Sequence, residues 1–187
     1  MKWFNRSERG FTLVELLVAI PIIGLLGLGM GAVLIQLLHS DRISQRMVAV
    51  RQVQSAGDRV SQDGVQAQYV TFGNDMTSPG WSLNLSWTGQ WTDDSGQLNG
   101  RNVNVTYTLV PVNGLYELQR HEVAQITVGT STTNRDLTST FGEYLDAGQM
   151  SCQWLASDNN TLAFKVVSVV GTKTEERTYN ITPRSQG

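Results

Sequence analysis

One long apolar run near the N-terminus constrains the fold of this chain more than any other feature. The stretch from Phe11 to Leu38 contains a single charged residue, Glu15. An α-helix rises about 1.5 Å per residue, so a helix over this run is long enough to cross a bilayer core of about 30 Å. A carboxylate at the centre of such a helix costs about 2.5–3.5 kcal/mol or more when unpaired. The run therefore predicts a membrane-spanning helix in which Glu15 lies shallow or meets a positive partner.

Beyond His39 the pattern becomes amphipathic. Apolar residues and one glycine recur at steps of three and four, which is the spacing of one helix face. We expect the same helix to continue into water over residues 39–64, ending near residue 62, with this face against a globular domain. The stripe is formed by Ile43, Met47, Val50, Val53, Gly57 and Val60.

Residues 65–187 have the pattern of β-strands. Alternation is clear in Trp81–Trp87 and Val103–Leu109, and a Val-Asn-Gly turn before Leu115 predicts a hairpin. The Ser- and Thr-rich stretch 127–140 has no period and predicts a loop. A helix followed by antiparallel strands makes the chain α+β, with a long N-terminal helix packed on a C-terminal antiparallel β-sheet domain. Three more strands are predicted at 150–155, 162–170 and 176–181.

Charge and cysteine content narrow the function. The formal net charge is −2, and the first ten residues carry Lys2, Arg6 and Arg9 against Glu8, so the rest of the chain carries −4. A negative chain of this kind argues against a nucleic-acid-binding surface, and no nucleic acid contact is predicted. The single Cys152 cannot form an intramolecular disulfide, and we expect it to be a buried strand residue.

The residues provide no catalytic constellation. His39 and His121 are the two histidines, and neither belongs to a nucleophile, phosphate-binding or zinc motif. Asp75, Asp93 and Asp94 could offer oxygen ligands to Ca²⁺, but their spacing matches no known calcium loop, and solvated turns are favoured. We therefore predict no enzyme, no cofactor and no bound metal.

Four tryptophans lie in the predicted sheet region, and two interpretations of them are open. Trp81 and Trp87 share parity and so point to the same face of their strand. Aromatic residues on a half-buried strand favour core packing, and a sugar-binding face is the alternative. The four residues are Trp81, Trp87, Trp91 and Trp154.

The residues around Glu15 resemble a known processing site. A basic leader, then Gly10, then Phe-Thr-Leu-Val-Glu and an apolar tract, is similar to the site in type IV prepilins and type II secretion pseudopilins. The resemblance implies cleavage between Gly10 and Phe11 by a prepilin peptidase, which also N-methylates Phe11. It further implies a leader over residues 1–10, a transmembrane and assembly helix over 11–38, and a role for Glu15 in assembly.

Two features inside the apolar run bear on this resemblance. Pro21 stands where the family commonly has a small or apolar residue, and it predicts a kink in the preceding turn. Gly27 and Gly31 form a small-xxx-small pair that would let another helix approach closely, and general tolerance of glycine in membrane helices explains them equally well.

The resemblance also implies partners and a location. The partners are the prepilin peptidase/N-methyltransferase, other pilin or pseudopilin subunits, an inner-membrane assembly platform, and lipid before assembly. Lys2, Arg6 and Arg9 before the run favour a cytoplasmic N-terminus and an extracytoplasmic C-terminal domain. The strand order over about residues 101–182 is similar to J-type minor pseudopilins, which suggests a minor subunit. The alternative is an uncleaved, signal-anchored extracytoplasmic domain that binds a ligand with its tryptophan strands.

Overall fold

A computed structural model describes residues 12–73, 75–157 and 160–184. It contains one long helix and eight strands, which confirms the α+β class. The chain divides into two compact units, Met1–Ile43 and Ser44–Gly187, so that the boundary falls inside the helix. The elements are α1 (Leu13–Gln66), β1 (Tyr69–Phe72), β2 (Ser82–Thr92), β3 (Leu98–Val112), β4 (Leu115–Val128), β5 (Ser131–Leu145), β6 (Ser151–Trp154), β7 (Leu162–Val170) and β8 (Lys173–Ile181).

In the first unit, α1 is long and apolar enough to span a membrane. Pro21 lies inside it, and the helix continues through the proline from Leu13 onward. The apolar side chains of this part are exposed, with Leu13 at 80% of its full accessibility. Exposed apolar surface of this extent requires lipid or other helices to cover it.

In the second unit, the strands form one antiparallel sheet in the order β1-β2-β3-β4-β5-β7-β6, and β8 pairs with the other side of β7. The predicted hairpin between β3 and β4 is confirmed. Its turn uses Asn113 and Gly114 with φ of 51° and 84°, as a tight two-residue hairpin turn requires.

The second part of α1 supplies one side of the hydrophobic core. Ala49, Val53, Ala56 and Val60 are fully buried against the sheet. Ile43 and Met47, which the periodicity placed on the same stripe, are exposed, so the packed stripe begins at Ala49. The sheet side of the core is formed chiefly by Leu83, Leu85, Val103, Val105, Tyr107, Leu118, Leu145 and Phe164.

The predicted loop at 127–140 is wrong, and the structure differs from the predicted elements at two other places. Residues 127–140 are not a loop, because they complete β4 and form most of β5, which pairs with β4 from Gln119 to Val128. Apolar and polar residues do not alternate here because residues 131–138 are exposed on both faces of the strand. Threonine and serine are compatible with a strand that is solvated on both faces. Helix α1 ends at Gln66 rather than near residue 62, and the four-residue strand β1 was not predicted.

Candidate functional site: the start of the helix

Glu15 and Thr12 form a reciprocal cap at the start of α1. The Thr12 backbone N–H and hydroxyl each donate to Glu15 Oε2 at 2.9 Å, and the Glu15 N–H donates to Thr12 Oγ1 at 3.3 Å. This is a capping box, in which an N-cap threonine and a glutamate three residues later satisfy each other's backbone donors. It explains locally why the helix begins at Leu13.

The cap leaves Glu15 available for a second role. Both hydrogen bonds from Thr12 fall on Oε2, and an ionised carboxylate has a second oxygen that also accepts. A carboxylate at a helix N-terminus is further stabilised by the helix dipole. Capping the helix and accepting from a nearby amine are therefore compatible. Gly10 and Phe11, the predicted cleavage pair, lie outside the described residues.

The start of the helix also lies in the part of the chain that is similar to a known family. Residues 5–31 match the family model described as the prokaryotic N-terminal methylation motif. The chain carries the type IV pilin and pseudopilin signature. The match includes Gly10, Phe11 and Glu15, and it extends through the apolar first part of α1.

The motif indicates the class of protein but does not describe the globular part of the chain. Pilin-type proteins are structural and not catalytic, and the motif together with the apolar helix indicates membrane anchoring. No curated protein and no solved structure matches the chain.

The second unit contains a buried ionic cluster. It is formed by Asp63, Tyr107, Arg120 and Glu122, and we name it the Asp63 cluster. Asp63 on α1 accepts hydrogen bonds at 2.6 Å from the Tyr107 hydroxyl and from Arg120 Nε, and Arg120 Nη1 donates to Glu122 Oε2 at 2.7 Å. Asp63 and Arg120 are 3% and 2% exposed. The cluster ties the last turns of α1 to the middle of the sheet.

Two more arginines border the Asp63 cluster. Arg59 Nη2 lies 3.6 Å from Asp63 Oδ1, one helical turn away, and its guanidinium stacks over the Phe141 ring at 5.3 Å. Arg101 Nη2 lies 3.4 Å from Glu122 Oε1. The guanidinium groups thus alternate with carboxylates from the helix to the sheet, which is the arrangement that makes buried charge tolerable.

Protonation follows from this geometry. Burial would raise the pKa of Glu122, but the hydrogen bond and charge of Arg120 outweigh it and leave that pKa below its usual value. Burial and the neighbouring Asp63 carboxylate raise the pKa of the Tyr107 hydroxyl. Burial would lower the pKa of Arg120, but its hydrogen bonds to Asp63 and Glu122 raise it. At neutral pH Glu122 is therefore a carboxylate, Arg120 a guanidinium and Tyr107 a neutral phenol.

Sequence reasoning missed the Asp63 cluster, although a signal for it was present. Asp63 follows Val60 by three residues, which places it on the apolar stripe of the helix. Arg120 and Glu122 share parity with buried Leu118, which places them on the core face of β4. Charged residues in register with a core stripe indicate a buried ion pair.

The remaining candidate residues are dispersed. Asp75 and Asp93 each accept hydrogen bonds within their own turns, which lowers the pKa of both carboxyls. Over the part of the chain that the structure describes, no three metal-ligating side chains come together. Cys152 is buried, and burial raises the pKa of its thiol to about 12, which disfavours the reactive thiolate. His121 Nε2 lies 2.8 Å from Asp136 Oδ1 on an exposed surface, and His39 is exposed on α1.

The four tryptophans do not form one face. Trp81 is a core residue whose Nε1 donates to the Gly73 carbonyl at 2.8 Å, which confirms core packing for it. Trp154 contacts Phe72, with ring centroids 5.9 Å apart. Trp87 is half-buried and Trp91 is 43% exposed, and both line one groove at the end of the sheet.

Proposed function

We propose that this chain is a structural subunit of a type IV pilus or type II secretion pseudopilus. A prepilin peptidase cleaves it between Gly10 and Phe11 and methylates the new N-terminus. The match of residues 5–31 to the methylation motif carries this proposal. The capped helix start at Thr12 and Glu15 and the exposed apolar side chains that follow support it.

The proposed organisation follows the sequence. Residues 1–10 are the leader, 11–38 the transmembrane and assembly helix, 39–64 its amphipathic continuation, and 65–187 the extracytoplasmic β-rich domain. The basic leader favours a cytoplasmic N-terminus in the inner membrane. After processing, the subunit leaves the bilayer for the filament with the help of an inner-membrane platform. The strand order favours a minor subunit, of the J type among pseudopilins.

Assembly is proposed to depend on a charge pair. Cleavage creates an amine on Phe11, and Glu15 is a carboxylate that is costly in lipid without a partner. Pairing Glu15 with the amine of a neighbouring or the same subunit removes that cost, since a buried charge is tolerated when it is paired and hydrogen-bonded. The apolar side chains around it then exchange lipid contacts for helix contacts. No cofactor is needed for this step.

Intact mass and N-terminal sequencing of the protein from native membranes test the processing step. We expect a chain that begins at Phe11 and is heavier than calculated by one methyl group. A chain that still carries residues 1–10, in cells with an active prepilin peptidase, would contradict the proposal and favour the uncleaved anchored domain.

Two variants separate the pairing role of Glu15 from its capping role. Glu15→Ala should abolish incorporation into filaments and leave membrane insertion intact, because it removes both the cap and the charge. Thr12→Val removes the hydroxyl of the capping box and keeps the carboxylate, so this control should still assemble. Filament incorporation is measured by co-purification with sheared filaments. Equal loss in both variants would show that capping, and not pairing, is what assembly requires.

A further inference from the structure

The core face of the sheet continues beyond the end of the helix that covers it. Leu83 and Leu85 of β2 are buried, and the next residues on the same face are Trp87, Gly89 and Trp91. Helix α1 ends at Gln66, and its last residues border this region. Helix α1 covers this face of the sheet at Leu83 and Leu85 but not at the two tryptophans. The aromatic part of the face is therefore open.

The open face forms a groove of about 830 Å³, within the range of ligand sites. Gly89 lies between the two tryptophans, whose Cα atoms are about 13 Å apart along an extended strand. A Cβ on Gly89 would meet nothing within 4 Å, so the glycine leaves a trough between the rings. The groove is lined by Val65, Gln66, Trp87, Thr88, Gly89, Gln90, Trp91, Arg101, Ile126 and Arg184.

Two guanidinium groups line the groove. Arg101 lies directly opposite Gly89 in the register of β2 and β3, and Arg184 reaches the groove from the C-terminal segment, where its N–H donates to the Ala67 carbonyl. None of the described residues that line the groove is Asp or Glu. Within the described chain Arg101 Nε is buried with no hydrogen-bond partner, while Glu122 holds the Nη2 end of the guanidinium at 3.4 Å.

We propose that this groove binds an oligosaccharide that carries carboxylate groups. Tryptophan side chains offer flat apolar surfaces to the C–H faces of sugar rings, and the trough at Gly89 accepts a ring or linkage between them. Arg101 and Arg184 recognise the carboxylates through charge-assisted hydrogen bonds. The side-chain amide of Gln66 provides a donor and an acceptor for hydroxyl groups.

The same features disfavour two other classes of ligand. A single-stranded nucleic acid requires a cationic path along its phosphates, whereas this groove has two guanidinium groups on a chain with net negative charge. An extended peptide gains its affinity by adding a strand to a sheet edge. The edge of β2 is open to a strand beyond Ser86, because β1 pairs only with Leu83–Ser86, but Trp87, Trp91 and Arg101 project from the face of β2 and β3 and not from that edge.

Binding is tested on the full chain in detergent micelles by calorimetry and tryptophan fluorescence. The probes are tetramers of galacturonate, of mannuronate and of hyaluronan, with cellotetraose as the neutral comparison. We expect at least one acidic tetramer to bind about tenfold or more tighter than cellotetraose, and more weakly as salt is raised. Failure of all three acidic tetramers to bind, or equal binding of cellotetraose, would overturn the proposal.

Two glycines give a matched pair of variants. Gly89→Val fills the trough, and Gly100→Val adds the same side chain on the opposite face of the paired strand. Both glycines have open space for a Cβ and ordinary backbone angles, so both variants should fold. We expect Gly89→Val to lose binding by tenfold or more and Gly100→Val to retain it. Equal affinity in the two variants would refute the groove as the site.

Arg184→Gln removes one charge from the groove and leaves the backbone bond to Ala67 in place. We expect binding of the acidic tetramer to weaken about tenfold and binding of cellotetraose to stay unchanged. Tighter binding of an acidic peptide or of a single-stranded oligonucleotide than of any acidic tetramer would overturn the saccharide assignment. The test does not depend on processing at Gly10, so its failure and the failure of the pilin proposal are distinguishable.

Discussion

The two parts of α1 make opposite use of apolar residues. Over residues 13–38 nearly every position is apolar, and large side chains such as Leu25 and Leu28 are exposed around the helix. In the second unit apolar residues recur on one face, and Val53 and Val60 are fully buried by the sheet of the same chain. Continuous apolarity thus indicates a surface completed from outside the chain, and periodic apolarity one completed from within it.

The two carboxylates of the helix differ in the same way. Glu15 is held by Thr12 of its own first turn, whereas Asp63 is held by Tyr107 and Arg120, which are far away in sequence. The local hydrogen bonds use Oε2 of Glu15, and its second oxygen can accept from the amine that we propose as its partner. Because side chains of the sheet donate hydrogen bonds to Asp63, this carboxylate contributes to the stability of the fold. Mutations at the two residues should therefore have different effects.

The largest expected effect is from Asp63→Ala. Removal of one member of a buried ion pair leaves the partner charge uncompensated, and we expect the free energy of unfolding to fall by about 3–5 kcal/mol. The measurement is denaturant unfolding of the full chain in micelles. Asp94→Ala, at an exposed turn, is the control and should stay within about 0.5 kcal/mol of the wild type. A loss below 1 kcal/mol in Asp63→Ala would show that the cluster is not critical.

The same glycine-to-alanine substitution should change stability differently in the two parts of the helix. Gly57→Ala should destabilise the fold by about 1–3 kcal/mol, because the added Cβ would overlap the Tyr179 ring. Gly27→Ala meets nothing within 4 Å and should not destabilise the fold, since alanine favours a helix by about 1 kcal/mol over glycine. Thermal unfolding of both variants provides the comparison. Equal behaviour would mean that Tyr179 moves aside at no cost.

Acid should weaken the second unit through Glu122. Its folded-state pKa is depressed by Arg120, so the unfolded chain takes up a proton first as the pH falls. The stability that Glu122 contributes is present above its ordinary pKa and is lost as the pH falls through the folded value. Free energies of unfolding measured from pH 7 to pH 3 should decline more steeply in the wild type than in Glu122→Gln. Parallel curves would remove Glu122 from the acid response.

The smallest effect is expected at Arg46, near the start of the second unit. Arg46 Nε donates to Glu175 Oε1 at 2.7 Å, but the arginine side chain is 69% exposed. Exposed ion pairs contribute about 0–1 kcal/mol, and salt screens them. Arg46→Ala should therefore lower the free energy of unfolding by less than about 1 kcal/mol, and the difference should vanish in high salt. A larger loss that persists in salt would point to packing by the arginine stem.

Prediction from sequence succeeded where neighbours in the chain carry the signal. The helix, the Asn113-Gly114 hairpin and the strands β2, β3 and β7 follow from spacing and turn chemistry. It failed at β5, because Thr132 and Thr138 are exposed on a strand solvated on both faces and show no alternation. It also missed the pairing of Asp63 with Arg120, since the register that brings them together is a tertiary property.

By itself, the sequence determined that the chain has a helix apolar enough to span a membrane, and it predicted where the chain is processed. Hydrophobicity over a helix length and the order Gly10-Phe11-Thr12 are local properties that need no folded partner. Only the tertiary structure decided that Asp63 is buried, that Trp81 and Trp91 have different surroundings, and that the groove at Gly89 is open. Burial depends on which element covers a face, and here the helix ends before the sheet does.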